Sequence, residues 1–224
     1  MSSVGIDSRA RLIQAPRLTE ISALWSVVHG VERVVACATL AALSPALIAV
    51  GGVIRLLSGS SPLVAHPRVG QNGAPLWMLK FRTMWERDSG GRAGLVEKLP
   101  ETVAPIVKIS DDPRVTSRFA AFCRKYSIDE LPQLWHIVRG ELSFVGPRPL
   151  TASELADYYG GAATEVLRLK PGLTGLWQIS GRNRLSYEQR RKFDIFLARR
   201  FSLMLYLRIL AVTPLRVLSG RDAW

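Results

Sequence analysis

SIDELPQLWHIVRGELSFVGPRP, from Ser127 to Pro149, places two adjacent acids, Asp129 and Glu130, at the entrance of a short apolar segment. At its exit stands Arg148, held between Pro147 and Pro149. Leu131, Leu134, Trp135 and Val138 recur at i, i+3, i+4 and i+7, which predicts a helix ended by Gly140. Ser127 and Glu130 have the spacing of a capping box, so the acids have a purely structural reading as partners of the helix dipole. Pro132 lacks the amide an interior position needs, so the helix is expected to begin there, with both acids in the entry turn. The positive end of a helix favours an ionised Asp129, as a nucleophile or a metal ligand requires. Pattern alone leaves capping and chemistry both open. Arg148 is a different case. Prolines on both sides push it towards extended backbone, and a guanidinium on a stiff support suits bidentate phosphate binding.

Upstream, residues 34–54 hold no charged side chain, and Arg33 and Arg55 bound the run. Those 21 positions are long enough to span a bilayer, which needs about 20. Ser44-Pro45 falls at the centre. Pro45 cannot donate to the Ala41 carbonyl, and the Ser44 hydroxyl is expected to bond back to Leu40, which also bends helices. Arg9, Arg11, Arg17 and Arg33 precede the run, and Arg55, Arg68, Lys80 and Arg82 follow it. Basic flanks on both sides favour both ends in the cytosol. The reading preferred here is therefore a broken, re-entrant helix, with a spanning helix and a buried soluble one as alternatives. Residues 1–24 read as a lead-in without the apolar core of a signal peptide.

A turn at Gly70-Gln71-Asn72-Gly73 separates two extended segments and predicts a small β-hairpin that ends in Lys80-Phe81-Arg82-Thr83-Met84. On a strand, Lys80 and Arg82 share one face, which by itself reads as solvated as readily as functional. Residues 85–111 look irregular. Asp112-Pro113-Arg114 leads into Val115 to Tyr126, a basic amphipathic helix that suits either a lipid surface or a phosphate site.

Downstream, residues 151–169 read as one helix. The turns Lys170-Pro171-Gly172-Leu173-Thr174-Gly175 and Gly181-Arg182-Asn183-Arg184 offer glycine amides and the cations Lys170, Arg182 and Arg184 to a phosphate. Neither is a Walker loop, and no GxGxxG is present. Tyr187 to about Leu218 is helical, and its apolar part is expected to touch the membrane.

The 224 residues carry a net charge of +12, are 48% apolar and have a pI near 10.5. That combination predicts anionic partners and excludes a disordered basic tail. The long uncharged run, and the lack of a basic motif interleaved with aromatics, argue against nucleic acid. Cys37 and Cys123 have no metal spacing and read as reduced packing residues.

Taken together, Ser44-Pro45, Lys80-Phe81-Arg82-Thr83-Met84, Asp112-Pro113-Arg114, Ser127 to Leu134, Gly146-Pro147-Arg148-Pro149, Pro171 to Gly175 and Gly181-Arg182-Asn183 resemble the bacterial sugar transferases. These are the small monotopic polyprenyl-phosphate phosphoglycosyl transferases. The resemblance covers about Val31 to Leu218. It implies a helix-rich α+β fold: a re-entrant membrane helix over 25–57 broken at Ser44-Pro45, and a compact, cytosol-facing catalytic domain over 58–224 with amphipathic surface helices. The implied reaction moves sugar-1-phosphate from a UDP-sugar to polyprenyl (undecaprenyl) phosphate and releases UMP. Asp129 matches the nucleophile, Glu130 the second acid, and the two together the Mg²⁺ site. Arg148 matches the phosphate-binding arginine. Lys80, Arg82, Asp112, Arg114, Lys170, Arg182 and Asn183 stand in the motifs expected to line the substrate site. The implied location is the cytoplasmic face of a bacterial inner membrane, in a minimal catalytic form; a homo-oligomer is left open.

Several positions depart from the family pattern. Glu32 stands for a usual Asp, with Val28 and His29 at basic positions before it. His66 stands for Gln, His136 for Asn, Glu141 for Asp, Lys170 for Arg and Tyr206 for Asp.

Overall fold

The computed structural model describes residues 23–85, 94–101, 115, 117–181 and 184–219. Helix α1, Ala23–Ser58, is the longest element and contains Pro45. At 1.5 Å per residue it is ~54 Å long, against ~30 Å of bilayer hydrocarbon. Only Glu32, Ala36 and Ile54 are buried along it. Val27, Val31, Val34, Val35, Ile48 and Leu56 are exposed, so its outer face suits an apolar medium. Cys37 lies on that exposed face, not in the packing role expected from sequence.

The Ser44 hydroxyl donates to the Ala41 carbonyl at 2.9 Å, not to Leu40. Ala41 is the acceptor that Pro45 leaves without an amide, so the hydroxyl one residue earlier fills that vacancy.

Strands β1 (Leu63–Val69) and β2 (Pro75–Phe81) pair antiparallel across the 3-10 turn Gln71–Gly73. Asn72 has φ 55 there, the left-handed geometry that asparagine tolerates. β3 (Val96–Lys98) adds parallel to β1, giving the order β2-β1-β3. Helix α2 (Arg118–Lys125), capped by the Ser117 side chain, leads into a 3-10 helix, Ile128–Gln133, and then α3 (Leu134–Arg139). β4 (Ser143–Val145) pairs parallel with β5 (Gly172–Thr174).

Residues 151–169 are not one helix. α4 (Ala152–Glu154) carries a capping box with Thr151, then passes through π and 3-10 turns before α5 (Ala163–Val166). The break falls at Gly160, whose φ is 47. α6 (Leu176–Ser180), α7 (Tyr187–Arg200) and α8 (Leu203–Leu218) follow, with α7 and α8 split at Phe201-Ser202. Met204, Leu207, Leu215 and Leu218 leave one face of α8 apolar and exposed.

The core gathers in three clusters. One packs Leu150, Leu155, Tyr159 and Val166 beneath α7. The second joins Ala36 of α1 to Leu76, Leu134 and Ile137, and the third joins Val145, Leu197, Tyr206 and Ile209, with Trp25 against it. The anchor helix is thus part of the core at Ala36 and again at its start. Trp25 stacks on Phe201 with ring centroids 4.5 Å apart. The buried Glu32 carboxylate accepts from Tyr206 Oη at 2.7 Å, from the Ser143 hydroxyl and from the Phe144 amide. His29 Nδ1 lies 2.7 Å from its other oxygen. Three departures from the family pattern, His29, Glu32 and Tyr206, therefore meet in one network that ties α1 to β4 and α8.

Candidate active site

The acids sit in the 3-10 helix, and no capping box forms. Ser127 adopts φ 56, whereas an N-cap uses extended backbone. The left-handed residue reverses the chain out of α2 and turns Asp129 inward, where it is buried. Pro132 supplies no donor, so the regular α pattern sets in only at Leu134, two residues later than expected. Burial first, and then the Asp129 charge, push the Cys123 thiol up to about 11, which places the Asp129 carboxylate beside α2.

Lys80 Nζ lies 2.8 Å from Glu130 Oε1, so β2 delivers its lysine to the second acid. His136 locks that arrangement from behind. Its Nε2 accepts the Leu79 amide at 3.1 Å, so Nδ1 carries the proton and donates to Glu141 at 2.6 Å. His136 and Glu141, two further departures, are therefore partners of each other, and their bond fixes the strand one residue before Lys80. A pocket of about 200 Å³ opens beside Glu130, lined also by Ser127, Gln178, Thr213 and Arg216 among others.

Arg148 belongs to a second cluster. Its guanidinium carbon is 5.4 Å from the Trp177 ring centroid, and that of Arg190 is 5.0 Å from the same centroid. The Val69 amide donates to the Leu150 carbonyl at 2.8 Å and draws β1 alongside the Arg148 segment. Burial, then the charge of Arg148, pull Arg68 down to about 10, with Glu154 and Glu101 offsetting part of the effect. Arg68 Nε, Arg190 Nε, Trp177 Nε1 and Tyr187 Oη are buried and have no hydrogen-bond partner among the described residues. Orphaned donors crowded among cations call for an anion that brings acceptor oxygens. Asp194 supports the cluster from below: Oδ1 accepts the Arg148 amide at 3.3 Å and Oδ2 accepts Tyr159 Oη at 2.8 Å. Burial pushes Asp194 up to about 7, against the lowering effect of those two bonds.

The hairpin connects dyad and cluster. Val64 pairs with Lys80, His66 with Met78 and Arg68 with Leu76, so Lys80, His66 and Arg68 share one face. His66 is pulled down to about 4 by burial and then by Arg68, Lys80 and Arg82, which leaves a neutral imidazole between cations.

Two expected site residues go elsewhere. Arg82 pairs with Glu97 and bonds the Ser61 carbonyl at 2.8 Å, so it ties β2 to β3. Lys170 lines a separate pocket with Trp25, His29 and Gln71. Burial, then Arg33, lower its pKa, offset by Glu32. The glycines near it also serve backbone packing. A side chain on Gly172 would lie 2.1 Å from the Gly146 nitrogen, and one on Gly146 would lie 2.2 Å from the Lys170 carbonyl. The Gly146 and Gly172 amides bond Thr174 and Pro147 carbonyls instead of facing a phosphate. That close approach is what seats the Pro147-Arg148-Pro149 segment. Asp112, Arg114, Arg182 and Asn183 lie outside the described residues. Arg68, Arg190 and Trp177 are additions that the motifs did not single out. The strand alternation from Lys80 to Arg68 carried the signal for one of them; Arg190 needs α7 docked before it means anything.

Among the described residues no three His, Cys, Asp or Glu side chains converge as a metal cage. Two adjacent carboxylates still suit Mg²⁺, which is commonly held by one or two carboxylates, water and substrate phosphate oxygens.

The family model described as bacterial sugar transferase matches residues 24–220. The chain is 42% identical over 196 residues to the exopolysaccharide production protein ExoY of Sinorhizobium fredii, covering 86% of each chain. It is 42% identical over 167 residues to the UDP-galactose-lipid carrier transferase of Erwinia amylovora, covering 73% of this chain and 34% of that one. It is 32% identical over 200 residues to the UDP-glucose:undecaprenyl-phosphate glucose-1-phosphate transferase of Xanthomonas campestris pv. campestris, covering 86% and 39%. A buried Asp129 beside a half-buried Glu130 clamped by a strand lysine, an arginine cluster suited to an anion, and a long apolar helix are thus the frame of a transferase: the chain belongs to the bacterial sugar transferase family.

Proposed function

We propose that the chain transfers sugar-1-phosphate from a UDP-sugar to polyprenyl phosphate, undecaprenyl phosphate in bacteria, as the first membrane step of exopolysaccharide or related glycan assembly. The observation that carries the reading is Asp129, buried in a turn whose neighbour Glu130 is held by Lys80. In the first step the Asp129 carboxylate attacks the sugar-linked phosphorus, and the bond to the bridging oxygen breaks. UMP departs and a phosphosugar-aspartyl adduct remains. In the second step an oxygen of the lipid phosphate attacks that phosphorus and Asp129 leaves as carboxylate. The product is a polyprenyl-diphosphate sugar, and Asp129 is regenerated.

Phosphoryl transfer asks chiefly for position and charge neutralisation. Lys80 orients Glu130 and adds one positive charge beside the reacting phosphate. Arg148, Arg190 and Arg68 offer oriented donors to a phosphate. Asp129 and Glu130 would hold Mg²⁺, which when bound supplies further charge neutralisation on phosphate oxygens. The relatives' names include both UDP-galactose and UDP-glucose donors, so the sugar is set by a test.

The anchor supports a re-entrant arrangement with the catalytic unit on the cytoplasmic face. α1 touches that unit through Trp25 at its start and Gly51 near its end, where the Cβ position lies 3.6 Å from Phe81. At 1.5 Å per residue the contacts at Trp25 and Gly51 lie ~39 Å apart along the helix, more than the ~30 Å of bilayer hydrocarbon, so a straight crossing would carry polar surface of the docked unit into the hydrocarbon. Dipping into one leaflet avoids that cost.

The test is UMP release from UDP-glucose and UDP-galactose, in nanodiscs with undecaprenyl phosphate. Asp129→Asn is expected to lose at least about 10³-fold in rate; near-normal turnover by that variant overturns the reading.

A further inference from the structure

A groove of roughly 720 Å³ runs between the second half of α1 and the catalytic turn. Ile48, Gly51 and Gly52 line it from the anchor; Leu79, Pro132 and Trp135 line it from the catalytic unit. Among the described residues, Arg55 is the one charged member of its lining, and the rest is overwhelmingly apolar. Two features set it apart from an ordinary surface cleft. The first is continuity with the chemistry. Pro132 shares its 3-10 helix with Asp129 and Glu130, and Leu79 immediately precedes the lysine that holds Glu130. The second is its width. A Cβ on Gly52 would meet nothing within 4 Å, whereas one on Gly51 would touch Phe81 at 3.6 Å and Pro62 at 3.8 Å. The paired glycines therefore keep the channel open where larger residues would narrow it. Ile48 and Trp135 remain 74% and 47% exposed on facing walls, apolar surface that the fold does not cover.

The geometry points to this groove as the seat of the acceptor's isoprenoid chain, an inference that rests on the polyprenyl-phosphate reading above. A lipid phosphate that attacks at Asp129 needs its phosphate at the dyad and an apolar path that starts there. The groove begins at Pro132, three residues from Asp129. Its volume falls in the range of sites that enclose a small ligand, so it takes the first isoprene units and leaves the remainder in the bilayer. Burial of branched apolar groups against Leu79, Trp135 and Ile48 then contributes affinity for the lipid that the sugar-nucleotide donor does not share.

The test is Gly52→Leu, chosen because Gly52 lines the groove and a Cβ there meets nothing within 4 Å. Full-length protein in nanodiscs is assayed twice: for the UMP burst without acceptor, and for transfer to undecaprenyl phosphate and to geranyl phosphate. The expected result is an unchanged burst with at least a tenfold fall in kcat/KM for undecaprenyl phosphate, and a smaller fall for the two-isoprene acceptor. An unchanged burst with unchanged undecaprenyl kinetics overturns the groove assignment. Absence of a burst in the parent protein overturns the underlying reading instead. A second arm compares photoreactive undecaprenyl phosphate with photoreactive phosphatidylglycerol. Labelling of the Ile48 or Trp135 peptides by the polyprenyl probe, competed by unlabelled undecaprenyl phosphate, supports the assignment. Labelling by the phospholipid that undecaprenyl phosphate does not displace overturns it.

Discussion

Lys80 Nζ and Glu130 Oε1 are 2.8 Å apart, a bond that joins the end of β2 to the turn carrying Asp129. Both side chains are partly exposed, so the pair contributes little to stability on its own. Its consequence is positional. Lys80→Met is expected to lower kcat/KM for the UDP-sugar by about 10²-fold while leaving the fold intact. Lys80→Arg, which keeps the charge but not the geometry, is expected to recover part of that loss. Steady-state kinetics with a thermal melt as control checks both.

The arginine cluster makes a separate prediction. Arg190→Ala removes a guanidinium from the Trp177 face and leaves Arg148 in place. It is expected to raise KM for the phosphorylated substrate by about tenfold, the scale of one charge-assisted hydrogen bond. Arg148→Lys should cost as much, because a point charge does not replace a planar fork. Competition by UMP, read as a change in Ki, distinguishes loss of anion binding from loss of folding.

Asp194 predicts a pH dependence of stability. Its folded pKa is raised to about 7 from an ordinary value near 3.8. Its contribution is therefore fully present below the unfolded value and is lost as pH rises through about 7. The parent protein should melt at progressively lower temperature between about pH 4 and pH 7 and level off above it, by an effect on the order of a few kcal/mol. Asp194→Asn should flatten that slope; an identical slope in the variant contradicts the assignment.

The Glu32 network predicts a coupled pair. Tyr206→Phe leaves the buried carboxylate one donor short, at a cost of about 1–3 kcal/mol. Tyr206→Asp, which restores the residue more usual in the family, should cost more, because it sets a second carboxylate against Glu32. Thermal unfolding in detergent of both variants, alone and with Glu32→Gln, reads the coupling.

Sequence and structure agree where the signal was local. The Lys80 motif, the hairpin turn at Asn72 and the acid pair are short-range patterns, and they fall on a strand end, a tight turn and a buried helix entry. What the sequence obscured was partnership across distance. Lys80 and Arg82 share a strand face, yet a glutamate from β3 claims one and Glu130 the other. Ser127 with Glu130 has the letters of a capping box, but φ 56 at Ser127 forbids it. The glycines of the Pro171 to Gly175 turn suggest a phosphate cradle, and only the backbone approach of Gly146 reveals that they seat a strand. His29, Glu32 and Tyr206 looked like unrelated departures until the helix docked and joined them.

The most direct test of the central claim is mass spectrometry of protein quenched after mixing with UDP-sugar in the absence of lipid acceptor. The expected result is a mass increase equal to one phosphosugar, mapped to the peptide bearing Asp129, absent in Asp129→Asn and discharged when undecaprenyl phosphate is added. UMP release with no adduct on that peptide, or an adduct that persists in Asp129→Asn, would contradict it.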